Sequence, residues 1–474
     1  MNSESLRQRL AAAELLIAPQ WLMLPEGPAQ GMAAQVSNGR FAGVGPAAEL
    51  ARALPHLPPV ELPATLLMPG FIDTHHHLTQ SFGKALAFGE PSEIFRRIWV
   101  PLEAGLDERS LYVAAKLAAL EALRGGFTTV CDAGTRAKAG LDAVARATQD
   151  AGIRCVLGLI CNDLAADVAR ESILPAAERF LAAWPADGLV HPALAISIAE
   201  AATDDMLRDV SRLAGARGAV FQIHVNEHLA SVERSLVARG MRPLEHLDHV
   251  GALGPQALVA HATLLAPHEL NLLRESGAAV SYNPVASAWK GNAVANAPLM
   301  AALGIRFGLG TDGTRSDGFR LMDAAESAQR YTTGIANGDS SCGGGWLWVD
   351  RATRGGADAA GLGALTGEIA TGRQADFLLV DLDVPEMKPS WDLTWELVRL
   401  AARDQIVSVH VAGRLRLWQG WPVDWDARAL MAEVDAIAAQ AVAKAPIQKL
   451  HPPSREHRAT MVRRGWERAG PGGN

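Results

Sequence analysis

The rhythm of apolar and polar positions changes twice along the chain. Over residues 15–64, short apolar runs (LLIAPQWLML, then MAAQVSNGRFAGVG) are broken by Gly and Pro. Asn38-Gly39 lies between alternating apolar stretches, which predicts a two-residue hairpin. Apart from a helical stretch at Pro46–Leu54, residues 1–64 read as the first part of a small β domain. From about Leu66 to Leu365 the chain alternates. Eight strand-like runs, TLLMPGFIDTH, FTTVCDAG, RCVLGLI, ALAISIA, AVFQIHV, ALVAHAT, AAVSYNP and RFGLGTD, are separated by helical patterns. The clearest helix spans Asp107–Leu123, opening on acidic residues and closing at Arg124-Gly125-Gly126. Near-continuous apolar strands between helices imply a parallel sheet buried on both faces. Eight of them predict a (β/α)8 barrel of TIM type over residues 65–365, its fourth strand, ALAISIA, being the weakest. GEIATGRQADFLLVDLD and IVSVHVAGRLRLWQG then return to short strands with Gly turns. Residues 366–424 are therefore expected to complete a β-sandwich built from both chain ends. Residues 425–474 read as a closing helix from about Trp425 to Ala443, followed by a basic, Gly-ended surface tail.

Composition narrows the function classes. With 49 % hydrophobic and 20 % charged residues over 474 positions, the chain has material for a large core and is not a disordered protein. A net charge of −7 gives no general attraction to phosphate backbones or anionic membranes, so neither a nucleic-acid nor a membrane partner is expected. No apolar run reaches the ~18 residues of a membrane-spanning helix. Residues 1–14 lack the basic-then-apolar layout of a secretory signal. Cys131, Cys155, Cys161 and Cys342 form neither a disulfide framework nor a CxxC knuckle. Buried free thiols in a cytoplasmic protein are the expectation.

The chemistry sits at strand ends. Asp73-Thr-His75-His76-His77 follows the apolar run that closes at Ile72. Side chains alternate faces along a strand, so His75 and His77 point one way and His76 the other. Two imidazoles on one face at the C-terminal end of a barrel strand can chelate one metal ion. Phe221-Gln-Ile-His224 delivers a third imidazole, and Glu227 follows three residues on, placed to carry protons for a metal-activated water. Ala257-Leu-Val-Ala-His261 ends in a fourth imidazole, and Phe307-Gly-Leu-Gly-Thr-Asp312-Gly313 ends in a carboxylate. Taken singly, each is as well read as a core histidine or a helix cap. Together they fall at the ends of the first, fifth, sixth and eighth strands, and barrel strand ends converge on one mouth.

PGFIDTHHH, HVNE, the strand-end His261 and GTDG resemble the amidohydrolase superfamily, in particular its aminohydrolase branch of 8-oxoguanine, guanine, pterin and adenosylhomocysteine deaminases and triazine hydrolases. The likeness spans nearly the whole chain, including GRQADFLLVD. It implies that His75, His77, His224 and Asp312 hold one divalent ion, usually zinc and sometimes iron. It further implies that Glu227 is the proton shuttle, that His261 orients or polarises, and that Asp312 also accepts a proton from the water. No Lys stands near Ala193–Ala199, where binuclear relatives carry a bridging lysine, so one metal ion is expected. A homo-oligomer, dimer or larger, is also implied. The reaction expected is hydrolytic deamination of an amino-substituted purinone, pterin or triazine; the alternative is another leaving group on the same scaffold, such as chloride or an alkylamine from a triazine, or hydrolysis of an amidine or cyclic amide C–N bond.

Substrate contacts are less defined. Gln80 extends the first motif to HxHxxQ, as in guanine-type and 8-oxoguanine-type deaminases, where an amide can pair with a heterocycle edge. Trp99, Trp289 and Lys290 lie on predicted mouth loops and are candidates to stack on or bind a ring, with ordinary packing the competing reading for each. Arg315 either meets an anionic substrate group or pairs with Asp317. His228 reads as a surface residue. The run Ser340-Ser-Cys-Gly-Gly-Gly-Trp346 resembles a flexible mouth loop, not a phosphate cradle, because no GK[ST] follows.

Overall fold

At Gly70 the chain passes from one sheet into another. In the computed structural model, which describes residues 3–90, 94–165, 168–313 and 315–451, Val60–Pro69 belongs to a nine-stranded sheet and Phe71–His76 opens an eight-stranded one. TLLMPGFIDTH, expected as one strand, is thus two. A Cβ at position 70 would lie 2.2 Å from the Thr128 side chain, so glycine permits the crossing against the neighbouring strand.

The eight-stranded sheet is the barrel. Phe71–His76, Phe127–Asp132, Arg154–Ile160, Val190–Ile198, Phe221–Val225, Ala257–His261, Ala279–Tyr282 and Arg306–Leu309 pair in chain order, all parallel. A bridge between His76 and Asp312 links the last strand to the first, and the Asp312 N–H donates to the His75 carbonyl at 2.8 Å. The fourth strand, faint in sequence because His191 and Pro192 interrupt its apolar text, runs nine residues. Helix Glu108–Arg124 starts where the acidic residues predicted, with Asp107 as its cap accepting the Ser110 N–H at 2.8 Å.

The nine-stranded sheet draws strands from both chain ends. Leu15–Leu24 pairs parallel with Val60–Pro69, which pairs antiparallel with Phe377–Asp381. Met32–Ser37 and Arg40–Pro46 form the hairpin that Asn38-Gly39 announced, and φ of +50° and +76° at those residues suits a two-residue turn of the primed type. Its core includes Leu15, Ile17, Phe41 and Phe377. The Gly-rich run at 340–346 does not line the mouth pocket. Helix Gly344–Ala352 begins within it, and a Cβ at Gly345 would lie 2.7 Å from the Trp395 nitrogen. Gly345 allows close packing against helix Leu393–Arg399. The closing helix is Ala427–Lys444; the tail from Pro452 to Asn474 lies outside the described residues. No helix among the described residues is long and apolar enough to cross a membrane.

One buried ion pair joins barrel and sheet. Arg154 donates from Nε to Asp376 Oδ2 at 3.0 Å and from Nη2 to Oδ1 at 3.2 Å, and both side chains are 1 % exposed or less. Asp376 also accepts from Thr366 Oγ1 at 2.8 Å and from the Ala412 N–H at 2.6 Å. Removing one partner leaves the other charge buried without compensation, at about 3–5 kcal/mol. Arg154→Met is therefore expected to lower the urea midpoint by that equivalent; an unchanged midpoint would show that the pair carries no such weight.

His410 supplies an acid-sensitive element remote from the strand-end histidines. It packs edge-on to Phe377 with ring centroids 4.2 Å apart, and neither ring nitrogen has a hydrogen-bond partner. Burial, reinforced by Arg416, pushes its pKa down to about 3. The unfolded chain binds a proton near pH ~6.5 that the folded chain refuses. Stability from this residue is therefore complete above ~6.5 and falls as the pH drops toward 3. His410→Phe should flatten the fall of the melting midpoint across that window; an identical pH profile would contradict the assignment.

Candidate active site

The four strand-end sites named in sequence meet at the barrel mouth because their strands are parallel and end at one level. His75 lies in the first strand and His77 one residue beyond it, on the same face; His76 turns away and its Nδ1 meets Thr311 Oγ1 at 2.8 Å. His224 lies in the fifth strand, His261 ends the sixth, and Asp312 follows the eighth. Glu227 stands two residues past the fifth strand, in the loop at the same mouth. Asn226, His261 and Asp312 hold left-handed backbone, with φ of +52°, +75° and +57°. Non-glycine residues pay conformational strain there, and such positions concentrate at functional sites.

The donor atoms converge. His77 Nε2 is 3.3 Å from His224 Nε2 and 3.5 Å from Asp312 Oδ1, and His75 Nε2 is 3.8 Å from the same oxygen. Zinc–nitrogen bonds of ~2.0–2.1 Å at tetrahedral angles put neighbouring ligand atoms ~3.3 Å apart, so this spacing suits one small cation. His75 Nε2 is buried with no hydrogen-bond partner, an atom whose lone pair a metal ion would satisfy.

Tautomers separate the imidazoles. His224 Nδ1 donates to the Ser197 carbonyl at 2.7 Å, which leaves the Nε2 lone pair facing the cluster. Asn283 Nδ2 donates to His261 Nδ1 at 3.2 Å, while Asn283 Oδ1 accepts from Ser281 Oγ at 2.8 Å. The neutral His261 ring therefore carries its proton on Nε2, the atom 3.6 Å from Glu227 Oε2. Two triads of donor atoms are close enough to hold an ion, His75–His77–His224 and His75–His261–Asp312. The His261 tautomer makes that ring a donor, which favours the first triad together with Asp312.

Electrostatics agree with these roles. Burial, then the neighbouring imidazoles of His224 and His77, holds His75 well below its ordinary pKa, and burial pushes His261 down to about 4. The rings stay neutral and keep their lone pairs at neutral pH. Burial alone would raise the two carboxyls, but for Glu227 the positive ends of His261 and Lys290 outweigh it, and for Asp312 Lys290 and His261 do so. Both carboxylates are ionised. Lys290 Nζ donates to Glu227 Oε1 at 2.7 Å and to Asp312 Oδ2 at 2.5 Å, and these two anions raise its pKa against the effect of burial.

His77, His224, Glu227 and Asp312 line a pocket at the mouth. Gln80 and Trp99, both buried, line it, as does Lys290, whose ammonium is committed to two carboxylates. Trp289 lies off the wall and packs against Phe88, ring centroids 5.4 Å apart. Arg315 is also off the wall and donates to Asp317 at 2.6 Å. His228 is on the wall, not the open surface, with Nε2 3.3 Å from Glu227 Oε1. Sequence reasoning missed three further residues that line this pocket, Arg96 and the ion pair of Glu200 with Arg234 at 3.0 Å. Arg234 sits on helix Leu229–Arg239, where a charge resembles any solvated helix position. Asn283 carried a usable signal, because it directly follows the seventh strand. Ser197 carried none, since it acts through its carbonyl.

A (β/α)8 barrel with a histidine–carboxylate cluster at its C-terminal mouth and a flanking sheet from both chain ends defines a class of metal-dependent hydrolases. The amidohydrolase family model matches residues 66–416, and the chain belongs to that family. Its sequence is 30 % identical over 390 residues to the 5-methylthioadenosine/S-adenosylhomocysteine deaminase of Syntrophobacter fumaroxidans, covering 81 % of this chain and 87 % of that protein. The 5'-deoxyadenosine deaminase of Methanopyrus kandleri is 29 % identical over 369 residues, 77 % of this chain and 84 % of the relative. An adenosine deaminase structure from Xanthomonas campestris with bound zinc superimposes with a TM-score of 0.83 at 26 % identity, covering 90 % of this chain and 98 % of the other. The atrazine chlorohydrolase of Arthrobacter aurescens, TM-score 0.80 at 20 % identity over 90 % of this chain and all of its own, shares the fold.

Proposed function

We propose that this protein is a mononuclear zinc-dependent aminohydrolase that releases ammonia from the six-membered ring of an adenine nucleoside or a closely related purine. The observation that carries the reading is the convergence of His75, His77, His224 and Asp312 on one point, with Glu227 and a proton-bearing His261 beside it. The adenine-nucleoside choice is supported by the deaminases named above, which align over most of their length. A single ion is supported by the absence of lysine at positions 193–199.

His75, His77, His224 and Asp312 would hold the ion, which when bound lowers the pKa of its water from ~15.7 toward ~7 and makes a nucleophile at neutral pH. The chain's own residues manage the protons. Glu227 Oε2 takes one proton from the water and delivers it to the ring nitrogen beside the reacting carbon, then takes a second from the hydroxyl now on that carbon and delivers it to the departing amine. The His261 Nε2–H donates toward negative charge on the oxygen that adds to the reacting carbon. Asp312, fixed by the Gly313 N–H at 2.7 Å and by Lys290, keeps its Oδ1 toward His75 and His77. Overall, water replaces the amino group, the ring is left as a lactam, and ammonia departs.

Ammonia release from zinc-reconstituted protein tests the reading across 5'-deoxyadenosine, methylthioadenosine, adenosylhomocysteine, guanine, a pterin, and amino- and chlorotriazines. The proposal expects the highest kcat/KM on an adenine nucleoside. Chloride release from a triazine without ammonia would overturn it.

A further inference from the structure

Glu227 is held unevenly. Three groups converge on its Oε1: Lys290 Nζ donates at 2.7 Å, Asn292 Nδ2 donates at 3.4 Å, and His228 Nε2 lies at 3.3 Å. His228 is itself tied back, with Nδ1 3.0 Å from Asn292 Oδ1, so Asn292, His228 and the Oε1 atom close a ring of contacts. Oε2 faces His261 Nε2 at 3.6 Å. Asp312 shows the same division, with Oδ2 on Lys290 at 2.5 Å and Oδ1 toward His75 and His77.

Lys290 and Asn292 come from one short segment. Lys290 closes helix Pro284–Lys290, Gly291 adopts φ +69°, and the Asn292 N–H donates back to the Ser287 carbonyl at 2.9 Å. This stop in the left-handed region, natural for glycine, brings the next side chain round to the same carboxylate as the lysine. The terminal torsion of a glutamate is broad and roughly two-fold, so an unheld carboxylate interchanges its oxygens. Small misplacements of a catalytic group are costly in rate.

We propose that the segment Lys290–Asn292 is a positioning device for Glu227: it anchors Oε1 and leaves Oε2 as the oxygen that meets the substrate. Lys290 thereby acts through Glu227 and Asp312, and not as the ring-binding residue its loop position suggested. The proposal rests on the proton-shuttle reading of Glu227.

The test is Lys290→Met in zinc-loaded protein, which keeps the stem and removes the ammonium. At saturating zinc the content should stay at one per chain, although loss of the contact to Asp312 lowers affinity. On the best substrate of the panel, kcat should fall about 100-fold with KM within about 3-fold, and Lys290→Arg should recover part of the loss. A crystal structure of zinc-loaded Lys290→Met should show the Glu227 carboxylate displaced or split between rotamers. An unchanged kcat, a raised KM with kcat intact, or Glu227 unmoved in the variant would each overturn the proposal. If Lys290→Met fails to fold, Asn292→Ala carries the test, with a smaller loss of kcat expected and no loss contradicting it. If the native protein releases no ammonia from any compound, the functional reading fails, while the crystal structure still decides whether the segment anchors Glu227.

Discussion

Glu227→Gln should load its metal ion like the native protein and lose ~10²–10⁴-fold in kcat. The amide is nearly isosteric with the carboxylate, and its oxygen can still accept from Lys290 and Asn292 at the Oε1 position. What it cannot do is take up and release a proton. Native zinc content with turnover nearly abolished is the expected pair of results. A Glu227→Gln protein that retains native kcat would remove the proton shuttle from the mechanism and send the search to His261 or His228, the two histidines within 3.6 Å of that carboxylate.

His77→Ala is expected to lose metal and activity together. His77 Nε2 stands at the shortest distances in the cluster, 3.3 Å from His224 and 3.5 Å from Asp312. Loss of an outer partner of a metal ligand already weakens metal binding by ~10–100-fold, so loss of the ligand should exceed ~100-fold. Zinc titration against a competing chelator reads this without assaying turnover. Unchanged affinity in His77→Ala would mean that the ion lies elsewhere, with the His75–His261–Asp312 triad next in line.

Much of this site was legible because strand physics is simple. Alternation placed His75 and His77 on one face and sent His76 to Thr311, as found. Parallel strands brought His224, His261 and Asp312, remote in sequence, to one mouth. The fold was legible for a similar reason, since eight buried runs separated by helices leave few arrangements. Three things escaped. The split at Gly70 escaped because the apolar run from Leu66 continues through Pro69-Gly70 to Ile72, and only the packing of Thr128 shows why the backbone must turn there. The Gly-rich run at 340–346 suggested a mouth loop, yet it does not line the mouth pocket and its Gly345 serves helix packing against Trp395. Lys290 was singled out by position, but its bridge between Glu227 and Asp312 depends on where helix Pro284–Lys290 stops, and that is a tertiary fact.

The most direct measurement is anomalous scattering at the zinc edge from crystals of the reconstituted protein. The account predicts a single peak at bonding distance, ~2.0–2.2 Å, from His75, His77, His224 and Asp312, with His261 Nε2 outside that distance. A peak ligated by His261 in place of His224, or two peaks within the cluster, would contradict it.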